Sequence, residues 1–443
     1  MEHLVIIGNG IAGITTARHV RKRSDIKISI ISNETDHFFS RTALMYIYMG
    51  HMKYEHTKPY EDWFWEKNRL ELIRGYVSEI DTNTKTLQFD DGRTMNYSKL
   101  VLATGAKSNK FGWPGQDLPG VQGLYSYQDL ELLEENSKGV ESAVIVGGGL
   151  IGIELGEMLA SRNIKTTFLI REEFYWDNIL PKEEAQLISR HIVEHGFDLT
   201  RETNLKEIVA GSNGRVKSII TEFGQEIPCQ LVGLTPGVHP NIDLAKASGL
   251  ETDRGILVND YLETTTPDVY ACGDCAEIIV EGSQRNRIEQ LWYTGRMQGQ
   301  ALAKTICGDQ TLYERGIWFN SAKFLDIEYQ TYGFVNNVPR DGEDYFYWEH
   351  PEGRHCAKIV YQDGSREIIG MNFFGIRMRH EVCERWIQEK RTVEYALEHL
   401  QEANFDPEFF RHYEPDIIDS YNRQTGANIP VKRQRRLLSR IFA

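Results

Sequence analysis

Two glycine-rich hexapeptides, Gly8-Asn9-Gly10-Ile11-Ala12-Gly13 and Gly147-Gly148-Gly149-Leu150-Ile151-Gly152, share the spacing G-x-G-x-x-G. Each glycine has its own task in that spacing. The first permits a tight bend, the second lets the backbone approach a pyrophosphate, and the third lets helix and strand pack closely. The phosphates then rest on the positive end of the helix that follows. One copy alone is a weak signal, but two copies, each in the right strand and helix context, reinforce one another and predict two dinucleotide sites.

That context is strand, glycine turn, helix, strand. Leu4 to Ile7 is a short buried-strand run, a helical stretch follows the first turn to about Arg23, and Ile26 to Ile31 is β-like again. Ala143 to Val146, a helix to about Arg162, and Lys165 to Ile170 repeat the plan. Between the copies lie β-like runs from Asp81 to Ser98, with the turn Asp90-Asp91-Gly92, and then Leu100-Val101-Leu102-Ala103-Thr104-Gly105. A similar turn-rich stretch, Val209 to Pro228, follows the second copy and leads to Leu231 to Leu234 and Pro236-Gly237-Val238-His239-Pro240-Asn241. Asp253 to Ile256, and then Thr266 to Ala276, return to a strand and a glycine turn, so the second unit reads as inserted inside the first. From about Tyr313 the texture turns aromatic and β-like, with Trp318, Phe319, Phe324, Tyr329, Tyr332 and Trp348, before helical stretches from about Glu381 to Leu400. The expected fold is α/β: two Rossmann-like dinucleotide-binding domains, the second inserted in the first, plus a C-terminal α+β domain.

A chain of 443 residues with 41% hydrophobic content is too long for one core and reads as two or three domains. The net charge of −14 opposes general nucleic-acid binding. No basic leader precedes Leu4, and no apolar run approaches the roughly twenty residues of a membrane span, which places the chain in the cytoplasm. Basic residues crowd only one segment, Lys432, Arg433, Arg435, Arg436 and Arg440, interleaved with Leu437, Leu438, Ile441 and Phe442. It reads either as a solvated tail or as a contact for an acidic protein or an anionic lipid surface. The six cysteines do not form a secreted disulfide framework. The one close pair, Cys272 and Cys275, lacks the second pair of a zinc site and the context of a redox motif. No metal site is read from the sequence.

The order of Gly8 to Gly13, Ala103-Thr104-Gly105, Gly147 to Gly152, Gly237 to Asn241 and Gly273-Asp274 resembles the FAD-dependent pyridine nucleotide-disulfide oxidoreductase superfamily over nearly the whole chain. The first 228 residues contain no cysteine, so the resemblance is to branches without a redox disulfide. These are the ferredoxin and rubredoxin reductases, apoptosis-inducing factor, and the flavin module of nitrite reductases. Phe39 to Leu44 and Trp318 to Ser321 carry that likeness. It implies an FAD-binding domain at 1–113 and 252–312, an NAD(P)H-binding domain at 114–251, and a C-terminal interface domain at 313–443 with the basic tail. It also implies electron flow from NAD(P)H through FAD to an iron–sulfur or rubredoxin-like protein. A quinone reductase at a membrane surface and a redox-sensitive interaction protein are the alternatives, and a homodimer fits each.

The resemblance also assigns residues. Gly8, Gly10, Ile11, Ala12 and Gly13 would hold the FAD pyrophosphate, Arg41 an FAD phosphate, Val77 the adenine through its backbone, and Ala103, Thr104 and Gly105 the following turn. Glu34 is either the acid on the adenosine ribose or a solvated loop residue. Gly273 and Asp274 would face the ribitol, with an adjoining helix aimed at the flavin; the alternative for Asp274 is an ordinary helix cap. Gly147, Gly149, Leu150, Ile151 and Gly152 would hold the nicotinamide nucleotide, with Gly237 beside them. Arg171 favours a 2′-phosphate and Glu172 and Glu173 oppose it, leaving NADH and NADPH both open. Glu154 is either a polar support of the hydride site, with Tyr46 as its hydrogen-bond partner, or a solvated helix residue. Trp292 lies either against the nicotinamide pocket or in the core.

Overall fold

Leu4, Val5 and Ile6 alternate nothing polar with apolar, and such a run fits a parallel strand buried on both faces. The computed structural model describes residues 2–283, 285–405, 409 and 411–431. In it, His3–Ile7 is the middle of a parallel sheet whose order is Val269–Ala271, Lys99–Leu102, His3–Ile7, Lys27–Ser32 and Leu70–Arg74. Val5 lies opposite Leu100 on one side and Ser29 on the other. The chain leaves this sheet after Leu102 and rejoins it at Val269, which makes the second nucleotide fold an insertion in the first.

The inserted fold has its own parallel sheet, with Lys165–Leu169, Ser142–Val146, Leu231–Leu234 and Val121–Gln122 side by side. Small antiparallel sheets flank the two: Val77–Asp81, Thr86–Phe89 and Thr94–Asn96 beside the first, and Leu205–Ala210, Val216–Thr221 and Glu226–Pro228 beside the second. Helix Ile11–Arg21 packs on helix Trp292–Ile306 at a glycine, because a Cβ on Gly299 would lie 2.6 Å from the carbonyl oxygen of Ala12.

Contacts divide the chain into two compact units, Met1–Arg171 with Thr203–Arg315, and Glu172–Glu202 with Gly316–Ala443. The segment 172–202 lies inside the expected 114–251 domain in sequence, yet it packs with the C-terminal residues. The cause is helix Lys182–Glu194, which buries Ala185, Leu187, Ile188 and Ile192. Its first turn is tied to the C-terminal sheet by Lys358 Nζ donating to Glu183 (3.0 Å) and Asn372 Nδ2 donating to Glu184 (2.8 Å).

That sheet is antiparallel, in the order Phe319–Phe324, Ile327–Gly333, Ile368–Phe374, Cys356–Gln362 and Glu343–Glu349. Phe346, Phe373, Trp386 and Tyr421 fill its core. The helical stretch expected from about Glu381 to Leu400 is two helices, His380–Gln388 and Val393–Glu398. They are separated by Lys390 at φ +52° and by Thr392, whose hydroxyl caps the second helix by accepting from the Tyr395 amide. The basic tail from Lys432 to Arg440 lies outside the described residues.

Candidate functional site

The glycines of each turn divide into those that touch protein and one that does not. Gly8 has φ +115°, and a Cβ there would lie 2.0 Å from the Ala103 oxygen; one on Gly13 would lie 2.1 Å from the Gly8 oxygen. Gly147 repeats this at φ +123°, with the Thr235 oxygen at 2.4 Å. These are the tight bend and the close helix packing. Around Gly10 and Gly149, by contrast, a Cβ would meet no heavy atom within 4 Å. Both sit immediately before a helix, as the N-caps of Ile11–Arg21 and Leu150–Ala160, without any side-chain cap. Each of these positions therefore leaves open space at the positive end of a helix, as a diphosphate cradle requires. Gly152 is buried inside the second helix.

Beyond the first turn, Arg41 and Glu34 find one another. The guanidinium donates to both carboxylate oxygens, at 2.7 and 2.6 Å, and also to the Tyr125 carbonyl at 2.6 Å. Glu34 accepts a further bond from the Tyr127 amide at 2.9 Å. It is therefore an anchored carboxylate and not a solvated loop residue. Burial pulls the Arg41 pKa down, but the hydrogen bond and charge of Glu34 outweigh it and leave Arg41 above its ordinary value.

Tyr125, which the sequence did not single out, joins this pair to Asp274. Its hydroxyl donates to Asp274 Oδ2 at 3.2 Å and accepts from the Ala106 amide at 3.0 Å, and the Arg41 guanidinium lies 4.6 Å over its ring. Gly105, at φ +72°, leaves room for that hydroxyl, since a Cβ would stand 2.9 Å from it. Burial pushes the Asp274 pKa up, while the Tyr125 bond and the Arg41 charge pull it down. The available signal was the capping box Ser126-Tyr127-Gln128-Asp129, which starts a helix at Tyr127 and whose Asp129 also accepts from the Tyr125 amide at 2.9 Å.

Asp274 itself differs from expectation. No helix follows it directly in the chain: Gly273–Cys275 is one 3₁₀ turn, and the chain continues as strand Ala276–Ile278 paired with Ile256–Val258. Two helices reach this turn in space: Ile11–Arg21, with Ala12 Cβ 2.9 Å from where a Cβ on Gly273 would stand, and Trp292–Ile306, whose Gln298 accepts from the Gly273 amide at 2.7 Å. Cys272 and Cys275 are fully buried, and burial raises both thiol pKa values, which disfavours the thiolate.

The remaining expected residues are placed as follows. Val77 opens its strand with a buried side chain, and Thr104 Oγ1 donates to the Asn241 carbonyl at 2.7 Å. Gly237, at φ +99°, leads into Val238–Pro240, which pairs antiparallel with Ala106–Ser108. Arg171 is exposed at the end of the second βαβ unit. Trp292 is half-buried rather than in the core, 5.5 Å from the Tyr293 ring, with the Arg296 guanidinium 5.8 Å away. Tyr46 and Glu154 lie on helices that pack together, Leu44–Tyr48 and Leu150–Ala160, but among the described residues no hydrogen bond joins them. Tyr46 instead stacks on His51, 6.2 Å between centroids, because the short helix ends at Tyr48 and the chain folds back. Burial, and then the charge of Glu157, push the Glu154 carboxyl up to about 7.

Two turns of this build in one chain, one nested within the fold of the other, define a protein that holds two dinucleotides. The chain belongs to the pyridine nucleotide-disulphide oxidoreductase family, which matches residues 2–299. FAD and NAD(P)H are its cofactors, and the open positions at Gly10 and Gly149 fit them. It is 29% identical over 379 residues to a nitrite reductase [NAD(P)H] of Bacillus subtilis (strain 168), covering 84% of this chain and 46% of that one. The chain thus spans about half the length of that relative. It is 29% identical to a ferredoxin–NAD(P)(+) reductase of a Sphingomonas species, covering 89% of this chain and 94% of the other. Among solved structures, an NAD-dependent persulfide reductase from A. fulgidus superposes with TM-score 0.82 at 25% identity, over 96% of this chain and 84% of its own. Among the described residues no helix is long and apolar enough to cross a membrane.

Proposed function

We propose that the chain takes hydride from a nicotinamide nucleotide and delivers the electrons, through FAD, to a small iron–sulfur or rubredoxin-like protein. The observation that carries this reading is the pair of open glycine cradles in a chain whose first 228 residues contain no thiol, so that electrons have no disulfide to leave by. A relative of matching length is a ferredoxin reductase, which supports the same acceptor class. When bound, the flavin converts a two-electron donor into a source for one-electron acceptors.

The chain's residues supply position and charge. The amides after Gly10 and Gly149 bind the two diphosphates, Arg41 holds positive charge fixed by Glu34, and Tyr125 presents its hydroxyl to Asp274. Glu154 keeps its proton to about pH 7. Above that it becomes a carboxylate, which favours the positive charge that a nicotinamide ring gains on losing hydride. Flavin reduction is therefore expected to quicken with rising pH through about 7, by roughly tenfold, equivalent to ~1.4 kcal/mol. Glu154→Gln should flatten that profile while leaving the FAD content intact; a stopped-flow profile identical to the parent's would remove Glu154 from the hydride site.

Anaerobic titration with NADH and with NADPH, followed by ferredoxin, rubredoxin, quinone and disulfide acceptors, tests the whole reading. Rapid reduction of an iron–sulfur protein is expected. Preferential turnover of a disulfide, or failure to take up FAD, would overturn it. The second reading, a quinone reductase held at a membrane by the basic tail, rests on the sequence of 432–443 and predicts sedimentation with anionic vesicles at low salt. We place the protein in the cytoplasm, as a homodimer.

A further inference from the structure

Helix Lys182–Glu194 carries His191, and its C-cap is His195, so the two imidazoles are one helical turn apart and share a face. Their ring centroids are 4.1 Å apart. Opposite them stands Asp326, in the two-residue turn that joins Phe319–Phe324 to Ile327–Gly333. Leu325 beside it sits at φ +57°, and Phe324 pairs directly with Ile327, so the turn is tight and Asp326 is presented from a rigid hairpin.

Asp326 meets both rings through one atom. A single oxygen, Oδ1, lies 2.5 Å from His191 Nε2 and 3.3 Å from His195 Nε2. The other oxygen is 3.5 Å from Arg354. His195 Nδ1 lies 2.9 Å from the His191 carbonyl and must donate its proton there. With Nδ1 so committed, Nε2 is the nitrogen that His195 turns toward Asp326. A second partner that fixes a ring's tautomer, as the His191 carbonyl does for His195, is the usual support of a ligating histidine.

We propose that His191, His195 and Asp326 form a binding site for a divalent cation of the zinc class, which clamps helix Lys182–Glu194 to the 325–326 hairpin. Two imidazole nitrogens and one carboxylate suit Zn²⁺ and its neighbours, and not Mg²⁺ or Ca²⁺, which prefer all-oxygen sets. The three ligand atoms lie within 4.8 Å of one another, and the exposed Asp326 has freedom to open the short contact to His191 as the ion enters. Water completes the tetrahedron. A second group, His350, Glu352 and His355, is less suited, because the His355 Nε2 is bonded to the Tyr413 hydroxyl at 3.0 Å and His350 Nδ1 accepts from the Glu352 amide at 3.2 Å.

The test uses the untagged full chain, loaded with FAD and stripped with a chelator, titrated with Zn²⁺ in competition with a chromophoric chelator. One equivalent should bind, and the thermal midpoint of the protein should rise with Zn²⁺ but not with Mg²⁺. His195→Ala and Asp326→Asn should each weaken binding at least about 30-fold and abolish the midpoint rise, while His355→Ala leaves both unchanged. FAD content and the visible spectrum of every variant report that it is folded. The proposal is overturned if no equivalent binds, if His195→Ala and Asp326→Asn bind as the parent does, or if His355→Ala is the substitution that removes the ion.

Discussion

Gly10→Ala is expected to fold as the parent does and to emerge without flavin, with its affinity for FAD lowered by roughly 100-fold, about 2.7 kcal/mol. The backbone at Gly10 has φ −72° and ψ −177°, which any residue adopts, and a Cβ there meets no protein atom within 4 Å. The protein loses nothing by the change. The methyl group occupies only the space through which the diphosphate must approach the amides of Ile11 and Ala12. Gly8→Ala makes the opposite case, since φ +115° and an oxygen at 2.0 Å place the whole cost in the fold, expected at about 3 kcal/mol or more. Gly149→Ala should keep its flavin and raise KM for the nicotinamide nucleotide, because that position is equally open. Thermal midpoint and visible absorbance, read together, separate the three. A yellow Gly10→Ala protein that releases FAD no faster than the parent would mean that the phosphates lie elsewhere.

The contrast between Gly8 and Gly10 also shows what the sequence could reveal. A local backbone requirement leaves a local signature, so both glycine turns, their strands and their helices were legible within a few residues. The nesting of the second fold was legible too, because the strand at Val269–Ala271 carries its own glycine turn. What lay hidden depended on which distant surface a group meets. Glu34 and Arg41 were each singled out for a ligand, yet their bidentate pairing is a contact that neither motif encodes. Tyr125 stands just before a capping box, but that motif does not say that its hydroxyl reaches Asp274 across 149 positions of chain. Helix Lys182–Glu194 was not read from the sequence at all, and its apolar stripe would not have named the sheet it packs against.

That helix carries the second large expectation: Glu184→Gln should remove most of the decline in stability of its unit as pH rises from about 4.5 to about 8. Glu184 is fully buried, and burial pushes its carboxyl from an ordinary 4.5 up to about 8. Asn372 donates to Oε2, and the nearest cation, Lys358, is committed to Glu183 at 3.0 Å and stands 3.7 Å over the Tyr345 ring. Oε1 meets no hydrogen-bond partner among the described residues. The sign follows from proton counts. Between the two values the unfolded chain has released the proton that the folded chain retains, so rising pH favours unfolding. At most one proton is involved, which limits the slope to ~1.4 kcal/mol per pH unit. Below about 4.5 both states hold the proton and the slope vanishes; above about 8 neither does, and the full penalty remains. Glutamine keeps the shape and the acceptor for Asn372 while removing the titration. The variant should therefore match the parent near pH 4.5 and exceed it by several kcal/mol, at most about 5 kcal/mol, near pH 9, read as denaturant midpoints. Parallel curves for the two proteins would show that Glu184 is ionised in the fold at neutral pH, with Lys358 serving both carboxylates.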